Sequence, residues 1–199
     1  MILVTLLVAL GLGTPEVLFN GRDLTGWNGD AAIFRVEEGA IVGGSLKEGL
    51  KKNAFLASDR EFENFELTLE FKISGDPKVA NAGVQIRSKR IPNDHEMVGY
   101  QADIGQGYWG CLYDESRRNR VLQEPDEATR KKAVKQEDWN SYRIRCEGRR
   151  IQLWLNGVQT VDYTELEDGI ALRGAIGLQV HAGPAMEVRY RNIKIEELK

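Results

Sequence analysis

The sequence is poor in the residues that build many well-characterised catalytic and metal centres. Two cysteines and two histidines occur in 199 residues, with no C-x-x-C pair and no Cys/His cluster at zinc spacing. The G-x-S-x-G nucleophile motif, a glycine-rich phosphate loop that opens a helix and an EF-hand loop are also absent. These absences argue against zinc, serine-hydrolase, nucleotide-phosphate and EF-hand calcium sites.

An excess of charge of one sign is also missing. The formal net charge is −3, with 30 acidic and 27 basic residues interspersed. A nucleic-acid partner needs a concentrated basic face, so none is predicted. With two cysteines, Cys111 and Cys146, the sequence does not define a disulfide framework. They either pair in an exported protein or act as small buried hydrophobic residues.

Long hydrophobic runs are absent apart from residues 1–13, MILVTLLVALGLG. This run is too short to span a bilayer, so no membrane span is predicted. It resembles the hydrophobic region of a signal peptide, with small residues near a cleavage point but no basic n-region. A buried first strand or a truncated start is the alternative. We expect a signal peptide or its remnant at 1–13, a domain at 14–199, and a periplasmic or secreted protein.

Proline is scarce, with 5 residues, whereas glycine is frequent, with 21. This balance favours many tight turns between paired strands. Residues 65–73 alternate apolar and polar side chains, which predicts a half-buried strand. The alternation returns at 142–146 and 151–155, and Asn156-Gly157 then predicts a hairpin turn into 158–163. Shorter strands are predicted at 33–37, 39–43, 54–57, 83–88, 98–104, 109–113, 174–181 and 186–196, with a β-bulge near Asn192.

Residues 124–138 are charged and lack strand character, so they are expected to hold one or two helical turns. Many short strands without a long helix indicate an all-β sandwich of two antiparallel sheets.

Three predicted strands each carry two polar side chains on one face. These pairs are Gln85 with Arg87, Gln101 with Asp103, and Gln179 with His181. If the strands are neighbours, the six residues form a patch of amides, one cation, one carboxylate and one imidazole. Sugar hydroxyls both donate and accept hydrogen bonds, so this mixture suits carbohydrate. An ordinary solvated sheet face is the alternative.

Aromatic residues lie close to this patch in sequence, at Tyr100, Tyr108, Trp109 and Tyr113. They can stack on the apolar faces of sugar rings or pack in the core, and for Trp109 both remain open. The carboxylate pair of ordinary glycosidases is not found. The E-x-D-x-x-E arrangement is absent, and the adjacent residues Asp114 and Glu115 would face opposite sides of a strand. Direct two-carboxylate glycoside cleavage is therefore not predicted.

A series of motifs, in order along residues 17–198, resembles the 3-keto-disaccharide hydrolase family, formerly a domain of unknown function. They are Leu18–Trp27 (LFNGRDLTGW), Asn81–Arg87 (NAGVQIR), Gly99–Asp103 (GYQAD), Gly110–Glu115 (GCLYDE), Trp139-Asn140, Trp154–Gly157 (WLNG), Gly177–His181 (GLQVH) and Arg191–Ile193 (RNI). The family's Asn-Ser-Gly is Asn-Ala-Gly at 81–83 in this chain, which removes any role for that serine hydroxyl.

The resemblance implies a concanavalin A-like jelly-roll sandwich that cleaves glycosides already oxidised at C3. It implies an upstream sugar 3-dehydrogenase, and a reaction in which the C2 proton is removed, the C1 group is eliminated and water adds. On this hypothesis His181 or Asp103 is the base, His181 being preferred because imidazole titrates near neutral pH. Arg87 would stabilise the oxyanion.

The remaining site residues are expected to bind substrate or to supply the acid. Substrate binding is assigned to Gln85, Gln101, Gln179, Tyr100, Trp109, Tyr113 and Glu115. The leaving-group acid would be Tyr113, Glu115 or Glu96. The sequence also leaves open a divalent metal held by His181 and nearby carboxylates.

Other functions stay open. The main alternative is a non-catalytic, lectin-like carbohydrate-binding module, because one fold serves both roles. A structural or adhesion domain is a third possibility. The basic loop at 116–120 could contact a partner or a substrate carboxylate, or be a solvated turn.

Overall fold

The computed structural model describes residues 15–199, so the predicted signal peptide at 1–13 lies outside the described residues. The first strands are β1 (Glu16–Val17), β2 (Trp27–Asn28), β3 (Phe34–Glu37), β4 (Ala40–Ser45) and β5 (Ala54–Phe62). They are followed by β6 (Phe65–Gly75), β7 (Asn81–Arg90), β8 (Met97–Gly105), β9 (Leu112–Glu115) and β10 (Arg120–Gln123). After helix α1 (Glu127–Ala133) come β11 (Asn140–Glu147), β12 (Arg150–Leu155), β13 (Val158–Thr164), β14 (Gly174–Val180) and β15 (Met186–Glu197).

These strands form two antiparallel sheets within residues 15–199. The eight-stranded sheet has the order β13-β12-β11-β6-β15-β4-β3, with β1 paired to β15. The seven-stranded sheet has the order β10-β9-β8-β7-β14-β5-β2. Their apolar faces enclose one large core cluster. The predicted sandwich of two antiparallel sheets is confirmed.

Strand β6 shows why the pattern folds this way. Its residues alternate between buried and half-buried side chains from Phe65 to Ser74. The buried members include Leu67 and Phe71, which are inaccessible to solvent. Burying each such side chain contributes about 1.5–3 kcal/mol, so truncating Leu67 to alanine is expected to cost about 2–5 kcal/mol.

The predicted turns and bulge are confirmed. Asn156 and Gly157 both have positive φ, at 50° and 80°, as a two-residue hairpin of this type requires. Asn192 has φ of 54°, and the pairing of β15 with β6 shifts register between Arg191 and Lys194. Helix α1 lies within the predicted 124–138, and the Asp126 side chain caps it by accepting from the Thr129 amide.

Other features differ from the predictions. The predicted strand at 109–113 begins only at Leu112, because Gly107 and Gly110 have positive φ and form a turn. Cys111 and Cys146 are buried and unpaired, and burial raises the pKa of each thiol to about 12. No helix in residues 15–199 has the length and apolar character needed to cross a bilayer.

The outer face of the seven-stranded sheet carries the polar residues. Its inner face contributes alternate side chains such as Val84, Ala102 and Leu178 to the core. The intervening residues point outward on the central strands β8, β7 and β14. Asp103 lies opposite Gly83, and Gly83 lies opposite Gln179. The side chain of Gln101 fills the space that a Cβ at Gly83 would need.

Candidate functional site

A concavity of about 120 Å³ opens on this outer face. It is lined by Asn81, Gln101, Asp103, Tyr108, Tyr113, Glu115 and His181. Five of these were predicted as site residues. The structure therefore brings strands β8, β9 and the end of β14 together around one opening.

Asp103 is buried at the floor of the concavity. Its Oδ1 accepts a hydrogen bond of 2.7 Å from Nε2 of Gln101, and no hydrogen bond from residues 15–199 reaches its Oδ2. Burial raises the pKa of the Asp103 carboxyl well above its ordinary 3.8, and the charge of Glu115 raises it further, although Gln101 opposes this. The raised pKa favours the neutral form of the Asp103 carboxyl.

Glu115 is the second carboxyl of the site. Burial raises its pKa, and the Glu96 carboxylate adds to this, while His181 and the Gln179 amide oppose it. Nε2 of Gln179 donates to Glu115 at 3.4 Å. The buried Oε1 of Gln179 has no partner within residues 15–199. A carboxyl with a raised pKa can serve as a proton donor near neutral pH.

His181 lies exposed at the rim, directly after β14. Its backbone amide donates to the Asn81 carbonyl at 3.2 Å, which anchors it to β7. Its Nδ1 lies 2.6 Å from the carbonyl oxygen of Ala182. A carbonyl only accepts, so Nδ1 carries the hydrogen and Nε2 of the neutral ring keeps a free lone pair. The neutral His181 ring thus has a defined tautomer, with Nε2 available to accept a hydrogen bond.

Gln85 and Gln179 lie beneath the opening and are fully buried. Nε2 of Gln85 donates to Oε1 of Gln101 at 2.9 Å. These two glutamines therefore hold the residues that line the concavity, whereas Gln101 also reaches the opening itself.

Two lining residues were missed as site residues in the sequence analysis. Asn81 shares the parity of Gln85, so the period-two pattern contained the signal for it. Tyr108 was considered only as a nearby aromatic residue. The residue is 42% exposed, and its ring lies edge-on to the Tyr113 ring, with the two ring centroids 6.2 Å apart. Its position depends on the turn between Gly107 and Gly110, which strand periodicity does not describe.

The predicted position of Arg87 is wrong. Arg87 has φ of 51°, and β7 and β8 shift register between Ile86 and Lys89. This bulge turns the side chain away from Gln85. Its Nε donates to the Glu63 carbonyl at 2.8 Å and its Nη1 to the Gly148 carbonyl at 2.7 Å. Arg87 therefore joins two turns of the sandwich and takes no part in the concavity.

Tyr100 and Trp109 also lie outside the concavity. The Tyr100 ring is buried on the inner side of β8, and its hydroxyl donates to Glu165 at 2.6 Å. Trp109 stacks on Phe71, with ring centroids 6.1 Å apart and planes at 29°. The prediction that these two aromatics contact substrate is wrong, because both point into the space between the sheets.

The basic loop at 116–120 is largely neutralised by buried acids. Arg117 and Arg118 both donate to Asp114, which is inaccessible to solvent. Arg118 also binds Glu165 at 2.6 Å. These ion pairs join the β9–β10 hairpin to the end of β13. Arg117 and Arg118 therefore have a structural role, and they do not form a free surface for a substrate carboxylate.

The sequence did not decide whether His181 and nearby carboxylates bind a divalent metal. Within residues 15–199 no group of three or more His, Cys, Asp and Glu side chains is arranged to hold a metal ion. His181 and the carboxyls near it are therefore not arranged as such a group.

Comparison with known protein families identifies the family of this chain. A family model described as the 3-keto-alpha-glucoside-1,2-lyase-like domain matches residues 14–196. The chain belongs to this family. None of the curated proteins matches it. The matched range covers both sheets and all the residues that line the concavity.

Solved structures of other proteins share the fold of this lyase-like domain. A candidate glycosyl hydrolase from Parabacteroides distasonis is 19% identical, with a TM-score of 0.70 and 94% of each chain covered. The carbohydrate-binding module CBM66 from Bacillus subtilis is 17% identical, with a TM-score of 0.67, covering 92% of this chain and all of the module.

A third likeness is to a Bacillus subtilis protein of unknown function with a galectin-like fold. It is 9% identical, with a TM-score of 0.66, and covers 87% of this chain and 90% of that one. At these identities the likenesses show the fold, which is the predicted jelly-roll class. Family and fold together support action on glycosides or binding of carbohydrate.

Proposed function

We propose that the protein cleaves 3-keto-glycosides by removing the C2 proton and eliminating the group at C1, after which water adds. One observation carries the proposal. A histidine with a free Nε2 and two carboxyls with raised pKa values face one opening. Ordinary glycosidases need an ionised carboxylate as nucleophile or base, whereas burial favours neutral carboxyls here.

His181 removes the proton in the first step. A ketone at C3 acidifies the hydrogen at C2, so an imidazole is a sufficient base. Nε2 of His181 takes this proton, and the electron pair of the C2–H bond forms an enolate with its negative charge on O3. His181 is at the rim, where a bound sugar ring can reach it.

Asp103 stabilises the enolate. A neutral carboxyl in an apolar site can donate a hydrogen bond to a developing oxyanion, as in ketosteroid isomerase. Oδ2 of Asp103 is free to carry that hydrogen, because Gln101 occupies Oδ1. The Tyr113 hydroxyl, whose pKa is raised by burial, supplies a second donor from the same wall. These groups take the role that was expected of Arg87.

Glu115 protonates the leaving oxygen at C1. As the enolate collapses, the C1–O bond breaks and a double bond forms between C1 and C2. Addition of water, with oxygen at C1 and hydrogen at C2, then gives the free 3-keto sugar. The substrate's keto group has to be made beforehand, so we also propose an upstream sugar 3-dehydrogenase and, from residues 1–13, action outside the cytoplasm.

A carbohydrate-binding module is the second candidate function. The full-length likeness to CBM66 and the exposed Tyr108 ring beside the concavity favour it. A binding module needs amides and aromatic faces, but it has no use for a histidine with a free Nε2 that faces the same opening as two carboxyls.

Release of the aglycone from paired substrates separates the two functions. Purified protein is assayed with 3-keto-glucosides of both anomers and with the same glucosides unoxidised, each with and without chelator. We expect release from the 3-keto compounds only, and no effect of chelator. Binding of glycans without release from any 3-keto compound would establish the binding module instead.

A further inference from the structure

A chain of hydrogen bonds runs under the concavity from Ser88 to Asp103. Ser88 Oγ lies 2.5 Å from Oε1 of Gln85, Nε2 of Gln85 lies 2.9 Å from Oε1 of Gln101, and Nε2 of Gln101 lies 2.7 Å from Oδ1 of Asp103. The first three residues are inaccessible or nearly so. Each bond therefore replaces a lost contact with water.

The distances define the direction of this chain. A contact of 2.5 Å suits a hydroxyl that donates to an oxygen and is too short for an amide nitrogen beside a hydroxyl. Ser88 therefore faces the carbonyl end of the Gln85 amide. Nε2 of Gln85 must then face Gln101, and Nε2 of Gln101 must face Asp103.

The fold makes room for this chain with glycines. A Cβ at Gly99 would lie 2.2 Å from Ser88 Oγ, and a Cβ at Gly83 would lie 2.4 Å from Cδ of Gln101. The bulge at Arg87 places Ser88 on this side of the sheet. The same distortion that removes Arg87 from the site thus supplies the serine.

We propose that Ser88 and Gln85 are positioning residues that keep Nε2 of Gln101 on Oδ1 of Asp103, so that the Asp103 hydrogen lies on Oδ2, toward the substrate. The catalytic consequence rests on the proposed function. The direction of the hydrogen bonds can be measured without substrate.

Several titratable groups face Asp103 and must be considered in any titration. They are Glu115 and Tyr113 on β9, Cys111 before it, Tyr108 in the turn, His181 after β14 and Tyr142 on β11. None of them belongs to the chain from Ser88, so variants of Ser88 and Gln85 leave them in place.

The first test is the Asp103 titration midpoint, measured by ¹³C NMR of the carboxyl carbon. Ser88→Ala removes one oxygen and releases the Gln85 amide, so the ionised form of Asp103 loses an oriented donor and the midpoint rises, by about half a pH unit. Ser58→Ala is the matched control, because Ser58 is hydrogen-bonded on β5 but not joined to Asp103. Equal midpoints in both variants would overturn the proposal.

The second test reverses the chain. The glutamate side chain of Gln85→Glu accepts hydrogen bonds from both Ser88 and Gln101. The Gln101 amide then turns its carbonyl oxygen toward Asp103, which raises the Asp103 midpoint. The apolar Gln85→Met does not reverse the Gln101 amide. The added charge also raises the midpoint, so both variants are repeated with Gln101→Met. The quantity compared is the Asp103 midpoint in Gln85→Glu minus that in Gln85→Met. We expect this difference to be about one pH unit larger with Gln101 in place than in the Gln101→Met background. Equal effects in the two backgrounds would count against the proposal.

Kinetics then give the catalytic consequence. Ser88→Ala is expected to lower kcat on a 3-keto-glucoside about 10-fold with little change in KM, while Ser58→Ala keeps both values. Altered Asp103 midpoints in a protein that cleaves no 3-keto-glucoside would refute the proposed function alone. Unaltered midpoints in an active enzyme would refute the positioning role alone.

Discussion

The Gln101 amide donates to Oδ1 of Asp103 at 2.7 Å, although both residues lie on one strand and Asp103 is buried. This is the one hydrogen bond to the Asp103 carboxylate from residues 15–199. One donor does not offset the burial that raises the Asp103 pKa. Asp103 therefore enters the proposed reaction as a neutral hydrogen-bond donor, and His181 is the base.

Asp103→Asn tests this assignment of roles. An asparagine keeps an acceptor for Gln101 and a donor toward the substrate, so kcat is expected to fall only about 10-fold, whereas loss of one oxyanion donor costs about 10²–10³. Asp103→Leu, which lacks the donor, is expected to show that larger loss. Steady-state kinetics on a 3-keto-glucoside checks both. Equal, near-complete inactivation by Asn and Leu would instead make Asp103 the base.

Asp103 also makes stability depend on pH. Its pKa is higher in the folded chain than its ordinary 3.8. At pH values between 3.8 and the raised pKa, the folded state therefore binds more protons than the unfolded state. The free energy of unfolding therefore falls as pH rises from about 4 through the raised pKa. Asp103→Asn removes this contribution and is expected to be more stable than wild type at pH 7. Urea unfolding at pH 4 to 8 measures it, and parallel curves for both proteins would contradict it.

Glu165 gives a dependence of opposite sign. Burial would raise its pKa, but hydrogen bonds from Arg118 and Tyr100 outweigh this and lower the pKa to about 2. The stabilisation it provides is complete above its ordinary 4.5 and is lost as pH falls toward 2. Glu165→Gln leaves Arg118 without this buried partner, and we expect a loss of about 3 kcal/mol at pH 7.

Thermal unfolding of wild type and Glu165→Gln between pH 7 and pH 2 checks this expectation. The difference between them should shrink as pH falls below about 4.5. A constant difference over that range would show that ionisation of Glu165 does not stabilise the folded protein.

Arg87→Met separates structure from catalysis. The variant loses hydrogen bonds from a buried guanidinium to the Glu63 and Gly148 carbonyls, so those carbonyls lose their donor. We expect a loss of about 2–4 kcal/mol in the free energy of unfolding, while the folded protein keeps its turnover rate. Denaturant unfolding and activity below the transition measure the two effects. A large loss of turnover at unchanged stability, about 100-fold as for a missing oxyanion donor, would return Arg87 to the active site.

Strand periodicity predicted most of the fold because alternating burial is a local property. It predicted β6, the hairpin at Asn156-Gly157 and the bulge at Asn192. Strands β1 and β2 have two residues each, which is too short for any alternation. They form through pairing with β15 and β5, which are distant in sequence.

The site was predicted in part for the same reason. Gln101, Asp103 and His181 keep the parity of regular strands, and all three line the concavity. Arg87 does not, because the bulge before Lys89 inverts the parity after Ile86. Side chains around a bulge do not alternate regularly between the two faces of a sheet. The sequence pattern therefore could not indicate that Arg87 points away from the site or that Ser88 points toward it.

The proposed reaction depends on removal of the C2 proton by His181, and hydrogen exchange at C2 reports this step. A 3-keto-glucoside is incubated in ²H₂O with wild type, His181→Ala and His95→Ala, the last replacing the chain's other histidine, on an exposed loop. NMR then follows deuterium at C2 of substrate and product. We expect deuterium at C2 with wild type and His95→Ala, and a reaction slower by about 100-fold or more with His181→Ala. Cleavage without deuterium at C2, or full activity of His181→Ala, would show that His181 does not remove a C2 proton.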